Sequence, residues 1–472
     1  MIAFNCGSIF CRSFLYEKSV FMKSNDLTQG NITRHLISFA LPLLAGALIQ
    51  QLYSTVDMMF VGRVLGTSAA AAVGASGMIV TCIVGFFTGL SVGVGVVVGK
   101  SVGRRDENLL FRVIHCAAGL TLIMGITLLL LGVALAPTLL DWMAVPADIF
   151  PEATTYIRIY LCSILSIVIY NVGAGILKAL GDSQTPTLYQ LIGGIANVVG
   201  NYLFIVVLEW GVSGAAMTTL LSQTLAAGLT VFRLFRLPEG YRLRVSAIRL
   251  EGKLCGEILG IGIPSAIQAI MISLSNVIVQ TSINRLDVLS IAAFTAYYKV
   301  ENIIYYPIMA VGQTCSAFVS QNIGARQIGR ARAGTQKSLL LGVGVTACIS
   351  AITILGAPFA FSLFSKDRGV ILLGSQIARV ACPFYFLYAF LEVYAASIRG
   401  AGKAIPTIVI TIFNMCFIRI GALAVLMNVF HSAIGVAAVY PITWLCTAIC
   451  MYGYYHTGRW MPKELDAGEH IR

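Results

Sequence analysis

Charge is what this chain has least of. Asp, Glu, Lys and Arg make up 11% of its 472 residues, against about 25% in soluble globular domains. That deficit excludes an ordinary water-soluble protein. Metal-ligand spacing is missing too: the five histidines make no metal pair, and the 12 cysteines form no CxxC motif. Cysteines such as Cys82, Cys162, Cys348 and Cys416 lie in apolar runs, so they read as buried free thiols rather than ligands or disulfides. A nucleotide-binding loop is absent. GVGVVVGKS (93–101) imitates one, but Val94 stands where the pattern needs glycine, and no soluble strand leads into it. Built-in ATP hydrolysis is thereby excluded, and no cofactor is implied. No His/Asp/Ser constellation supports an integral-membrane enzyme acting on lipids. Residues 1–21 lack a long apolar core and a small-residue cleavage site, so they do not read as a signal peptide. A complete polar lead into the first apolar run starts at Met22, which makes them an upstream start or an unstructured extension.

What is present is apolar length. The chain is 58% hydrophobic with a mean hydropathy of +0.85, and runs of about 20 residues or more recur throughout, enough to cross a hydrocarbon core as helices. A β-barrel would show short alternating segments instead. The breaks give about twelve spans. Those of the first half lie near 36–61, 69–99, 113–140, 154–180, 187–208 and 211–235. Those of the second lie near 255–284, 288–320, 338–364, 371–399, 406–429 and 434–457.

The two sets repeat one another. Pro42 answers Pro264, Gly103 answers Gly324, Pro186 answers Pro406 and Gly214 answers Gly435, all at offsets of 220–222 residues. The expected fold class is therefore an all-α polytopic membrane protein. About twelve transmembrane helices form two pseudo-symmetric six-helix bundles around a central cleft. Six spans precede the basic stretch FRLFRLPEGYRLRVSAIRLEGK (232–253), so both halves enter the membrane in the same sense, a parallel repeat. The divisions are a 1–35 N-terminal extension, a 36–235 lobe, a 236–254 linker, a 255–457 lobe and a 458–472 tail.

The net charge of +12 marks topology rather than nucleic acid. With both termini on one side, that side collects 24 of the 32 Lys and Arg. They include Arg12, Lys18 and Lys23, the linker arginines, and Lys463 and Arg472 in the tail. The positive-inside rule then puts both termini in the cytoplasm of a multi-pass cell-membrane (plasma or inner membrane) protein. Asn31-Ile32-Thr33 fits a glycosylation pattern but falls on that side and is set aside. In the second span Gly85, Gly89 and Gly93 form a flat strip, read as tight packing within one lobe, with a surface between lobes as the alternative.

An ionised side chain in a bilayer core costs about 2.5–3.5 kcal/mol on insertion scales, so each one needs a partner, a proton or a function. Asp57, deep in the first span with Tyr53 one turn before it, is the leading functional candidate. Asn197 and Asn201 share a face of the fifth span, and Thr218 and Thr219 follow in the sixth. Alone, such asparagines more often bond helices together. In the second half the candidates are Lys299, Glu301 and Glu392, with Lys299 and Glu392 offered as a cross-helix pair. Glu209 and Asp287 fall near span ends and are expected to be solvated. Tyr297, Tyr298, Tyr305, Tyr306, Tyr385, Phe386, Tyr388, Tyr394, Met271 and Met309 suit either an interfacial girdle, the commoner arrangement, or a cavity for flat cations.

The segments ALPLLAGALIQQLYSTVDMMFVGRVLG (40–66), IYNVGAGILKALGDSQTP (169–186), WGVSGAA (210–216), FVSQNIGARQ (318–327) and SIRGAGKAIP (397–406) carry a resemblance. From about Met22 to Gly458 the chain resembles transporters of the multidrug and toxic compound extrusion (MATE) family, prokaryotic type. The resemblance implies a V-shaped cleft between two lobes and antiport of organic cations outward against H⁺ or Na⁺. It implies that Asp57 carries the coupling cation, with Tyr53, Asn197 and Thr219 beside it, and that the first helix bends about Pro42. Three positions depart from the family pattern. Asn201 replaces a second aspartate, Gln268 stands for a seventh-helix glutamate, and Tyr388 replaces a tenth-helix aspartate with Glu392 one turn on. Asp57, Asn197, Asn201 and Thr219 would be the oxygen ligands if the ion is Na⁺.

The expectation is a secondary active efflux antiporter for small, cationic, lipophilic compounds. It would work as a monomer in the bilayer, with no nucleotide or nucleic-acid partner. A flippase for lipid-linked precursors is the alternative, disfavoured by the scarcity of intramembrane cations.

Overall fold

The computed structural model describes residues 26–143 and 145–461. Residues 1–21, Lys23, Lys463 and Arg472, used above for the extension, the tail and the charge count, lie outside the described residues. The first half comprises α1 (Ile32–Phe60, continued by a π-helical turn Val61–Leu65), α2 (Thr67–Arg104), α3 (Glu107–Trp142), α4 (Phe150–Cys162), α5 (Ile164–Ala179), α6 (Gln184–Asn201, continued as a π-helix Tyr202–Val207) and α7 (Gly211–Phe235). The second half comprises α8 (Gly252–Ile283), α9 (Val288–Gly324), α10 (Ile328–Leu355), the short α11 (Ala357–Ser362), α12 (Arg368–Ala381) and α13 (Tyr385–Gly400). It continues with α14 (Ala404–Ile412), a π-helix Phe413–Ile418, α15 (Arg419–Phe430) and α16 (Ala433–His456).

Eleven of these helical stretches are long and apolar enough to span a bilayer, and a twelfth comes from α4 and α5 taken together, bent by 41° at Ser163. The sequence reading drew that span, 154–180, as one helix. Helix starts follow local chemistry. Asn31, Asp106, Asp287, Asp367 and Ser432 each accept a backbone N–H of the first turn from their side chains, satisfying donors that have no intrahelical partner. Asp287 and Glu209 are exposed, as expected of span ends.

Two main apolar cores form, one within the second half and one in the first half that also takes in Leu254, Ile258 and Ile261 of α8. One is built around Phe294, Tyr297, Phe361 and Tyr385 in the second half, the other around Phe87, Ile114, Leu140 and Ile157 in the first. The outer faces stay apolar, with Leu130, Leu355 and Phe417 between 65% and 85% exposed, a surface that only lipid solvates favourably. The protein is a multi-pass membrane protein.

The lobes meet along α2, which lies between α8 and α9. A Cβ at Gly89 would overlap the Ala266 backbone, and one at Gly93 the Ile258 carbonyl and Gly262. The glycine strip therefore seats the other lobe. This corrects the reading of packing within one lobe, and the reason is simple: spacing announces a close approach without saying which helix approaches. Further along, Gly103 lies on the Gln321 carbonyl and Gly324 on that of Lys100. The two glycines paired by the repeat thus face one another's helices.

All of this contact falls in the half of the molecule nearer the termini. There the chain before α1 straps the lobes together. Leu27 N–H donates to Gln321 Oε1 at 3.1 Å, and the Arg330 guanidinium donates to the carbonyls of Leu27, Gln29 and Gly30. Toward the opposite end, a Cβ at Gly74 or Gly77 would meet nothing within 4 Å. The lobes are thus closed on one another at the end bearing the linker.

Candidate functional site

In the first lobe, α1 and α6 bring Asp57 to Asn201. Asn201 Nδ2 donates to Asp57 Oδ1 at 2.8 Å and to Asn197 Oδ1 at 3.2 Å. Both amide hydrogens are thereby used, and Asn201 Oδ1 is buried without a partner. An orphan acceptor beside a carboxylate leaves a place for positive charge, either a proton on Asp57 or a small cation held by oxygens. Asn201 is the last α-helical residue before the π-helix Tyr202–Val207, and such register breaks often mark functional positions. Tyr53, one turn before Asp57, packs on Gly194, where a Cβ would come within 3.0 Å of the ring. Gln50, Gln190 and Gln223 surround its hydroxyl.

Thr219 is not bonded into this chain of side chains. Its hydroxyl donates to Ala215 in its own helix at 3.3 Å, and no bond to Asp57 is made among the described residues. Thr218 packs on Gly200 and bonds Gly214. Pro42 lies inside a continuous α1, its carbonyl accepting from Thr187 Oγ1 of α6 at 2.9 Å. Gln51, midway along the same helix, accepts from Tyr306 of the second lobe at 2.6 Å.

The second-lobe candidates do not assemble as drawn. Glu392 pairs with Arg399 at 2.8 Å, with both side chains 11–12% exposed, and Lys299 lies on the outside with its ammonium 5.8 Å from the Phe364 ring. The Lys299–Glu392 pair is therefore corrected. Glu392 and Arg399 are seven residues apart, two turns on one helical face, and the guanidinium reaches its nearest carboxylate. Gln268 is buried and donates to Thr411 at 3.1 Å, a tie between α8 and α14. Glu301 accepts a short hydrogen bond from the Tyr385 hydroxyl.

Of the tyrosines, Tyr306 reaches the first lobe through Gln51, whereas Tyr297, Tyr385 and Tyr388 stand in neither a girdle nor the cleft wall. Tyr297 and Tyr385 are 0% and 1% exposed, and Tyr385, Tyr388 and Tyr440 pack around Trp444 at 4.5–5.7 Å between ring centroids. They are the lobe's core.

One residue escaped the sequence reading. Arg419, directly after the π-helix Phe413–Ile418, is 3% exposed. It donates to Asn276 Oδ1 at 2.9 Å, lies over the Tyr440 ring, and leaves Nε without a partner. A lone arginine in the apolar run FNMCFIRIGALAVL is the signal that marks it in the sequence.

A helical bundle of two like lobes around a cleft, with an isolated carboxylate deep in one lobe, defines a small-molecule membrane transporter rather than an enzyme. The MatE family pattern matches residues 42–203 and 264–425, one segment in each lobe. The chain is 27% identical over 451 residues to a probable multidrug resistance protein, YpnP, of Bacillus subtilis (strain 168), covering 94% of this chain and 99% of that one. It is 25% identical over 442 residues to an FAD transporter of Shewanella oneidensis, covering 91% and 95% of the two chains. Among solved structures, an outward-facing multidrug resistance MATE transporter superposes with a TM-score of 0.87 at 22% identity, over 93% of this chain and 99% of that one. The chain belongs to the multidrug and toxic compound extrusion family.

Proposed function

We propose that the protein exports organic cations in exchange for H⁺ or Na⁺, with Asp57 as the coupling carboxylate. The observation that carries this reading is the Asp57–Asn201–Asn197 chain with its one unpaired buried oxygen. Uptake of a proton or Na⁺ at Asp57 from the open side would change what Asn201 can bond, and with it the packing of α1 on α6. Substrate and ion then favour different states, which is all that exchange requires. In this reading the termini are cytoplasmic, the open end faces outward, and one chain is sufficient.

Proteoliposomes loaded with a fluorescent lipophilic cation provide the test, under an imposed proton or Na⁺ gradient. Asp57→Asn should bind substrate yet lose gradient-driven export. Normal gradient-driven export by that variant would sink the proposal. Export that requires Na⁺ would make Asp57, Asn197 and Asn201 its oxygen donors.

Arg419 favours a second reading, a substrate bearing an acidic group. It is a buried cation with no carboxylate at ion-pair distance among the described residues. The Shewanella relative is named for FAD, an anionic dinucleotide. Competition between the cationic dye and a flavin dinucleotide in the same vesicles separates the two.

A further inference from the structure

A cavity of about 150 Å³ lies between the lobes at the linker end, lined by Lys100, Arg104, Arg112, Lys253, Glu257 and the apolar Val97, Leu109, Val113 and Leu254. Four basic residues line one small space. Arg112 is committed to Glu251 at its rim through a bidentate pair, and Glu257 acts on Lys100. Lys403 adds further positive charge toward Lys100, and Asp106 acts on Arg112 from outside. Arg104 and Lys253 have no carboxylate at ion-pair distance among the described residues. The cavity thus holds more positive charge than its carboxylates balance, above a floor of aliphatic side chains.

We propose that this cavity binds the phosphate headgroup of an anionic phospholipid. It sits at the end of α2 and the starts of α3 and α8, and basic pockets between helices at such ends suit lipid headgroups. The aliphatic floor fits the glycerol and first methylenes of a lipid, where a free anion would find only the cations. Arg104 and Arg112 come from α2 and α3 of the first lobe, and Lys253 from α8 of the second. A bound phosphate therefore bridges the lobes and stabilises the state closed at this end, because a ligand shifts an equilibrium toward the conformation it binds better.

The test compares the purified full chain in phosphatidylcholine nanodiscs with and without phosphatidylglycerol. Phosphatidylglycerol should raise the thermal midpoint by about 2 °C or more. Arg104→Gln/Lys253→Gln, two exposed substitutions, should lose most of that shift. Arg34→Gln/Arg236→Gln, which removes equal charge elsewhere on the same side, should keep it. The proposal is overturned if phosphatidylglycerol gives no shift, or if both double variants behave alike. Inorganic phosphate stabilising the protein equally in phosphatidylcholine alone would also overturn it, in favour of a free anion.

Discussion

At the residue scale, the membrane makes each charge conspicuous and its partner obscure. Asp57 was legible because a lone carboxylate in a long apolar run has few structural excuses. That Asn201 lies near it came only through the family resemblance, since the two are 144 residues apart, and the hydrogen bond itself emerged only in three dimensions. The Asn201 amide does what a second carboxylate cannot: it donates to Asp57 while leaving its own oxygen free. Asn201→Asp replaces that donor with an acid 2.8 Å from Asp57. Two carboxylates so close cannot both ionise, so the variant should hold a proton at neutral pH and make transport respond to a proton gradient alone. Export assayed under separate gradients checks this. Glu392 has the opposite character. Glu392→Ala strands the nearly buried Arg399 and should cost about 3–5 kcal/mol, while Glu392→Ala/Arg399→Leu should recover most of it in thermal unfolding. If the double variant is as unstable as the single, or if Lys299→Ala reproduces the loss, the ion pair is wrongly assigned.

At the element scale, glycine decides where helices can touch. The strip on α2 was visible in the sequence, yet its occupant, α8 of the other lobe, emerged only in three dimensions. The kink at Ser163 was equally hidden, because no proline or glycine marks it. A leucine at Gly89 would meet the Ala266 backbone, which has no rotamer to yield. Overpacking of this kind costs about 1–3 kcal/mol, and each 1.4 kcal/mol is about tenfold in population. Gly89→Leu should therefore deplete the state closed at the linker end. Faster maleimide labelling of the buried Cys116 would report it, and unchanged labelling would contradict it. The strap before α1 acts on the same closure. Burial raises the Asp26 carboxyl, but hydrogen bonds from Thr28 and the charge of Arg105, 3.2 Å away, outweigh that and hold it below the ordinary aspartate range. A lowered carboxyl contributes stability above its unfolded pKa and loses it as pH falls through the folded value. This latch therefore weakens only in acid.

At the scale of the whole molecule, the repeat in the sequence predicted two lobes, and the paired glycines at 103 and 324 show how they close on one another. What the repeat could not convey is which end is shut, because that depends on an equilibrium between states rather than on fold. One contact turns the question into chemistry. Cys116 of α3 and Cys255 of α8 lie across the lobes with their sulfurs 3.2 Å apart. A mild thiol oxidant can join them, two thiols losing two protons and two electrons to form one disulfide. If transport requires the lobes to part at this end, oxidation should stop export, a reductant should restore it, and Cys255→Ser should be indifferent to both. Peptide mapping would establish that the bond joins these two cysteines. Full export with the bond in place would mean that the start of α8 travels with the first lobe, and the hinge would then have to lie further along that helix, near Pro264.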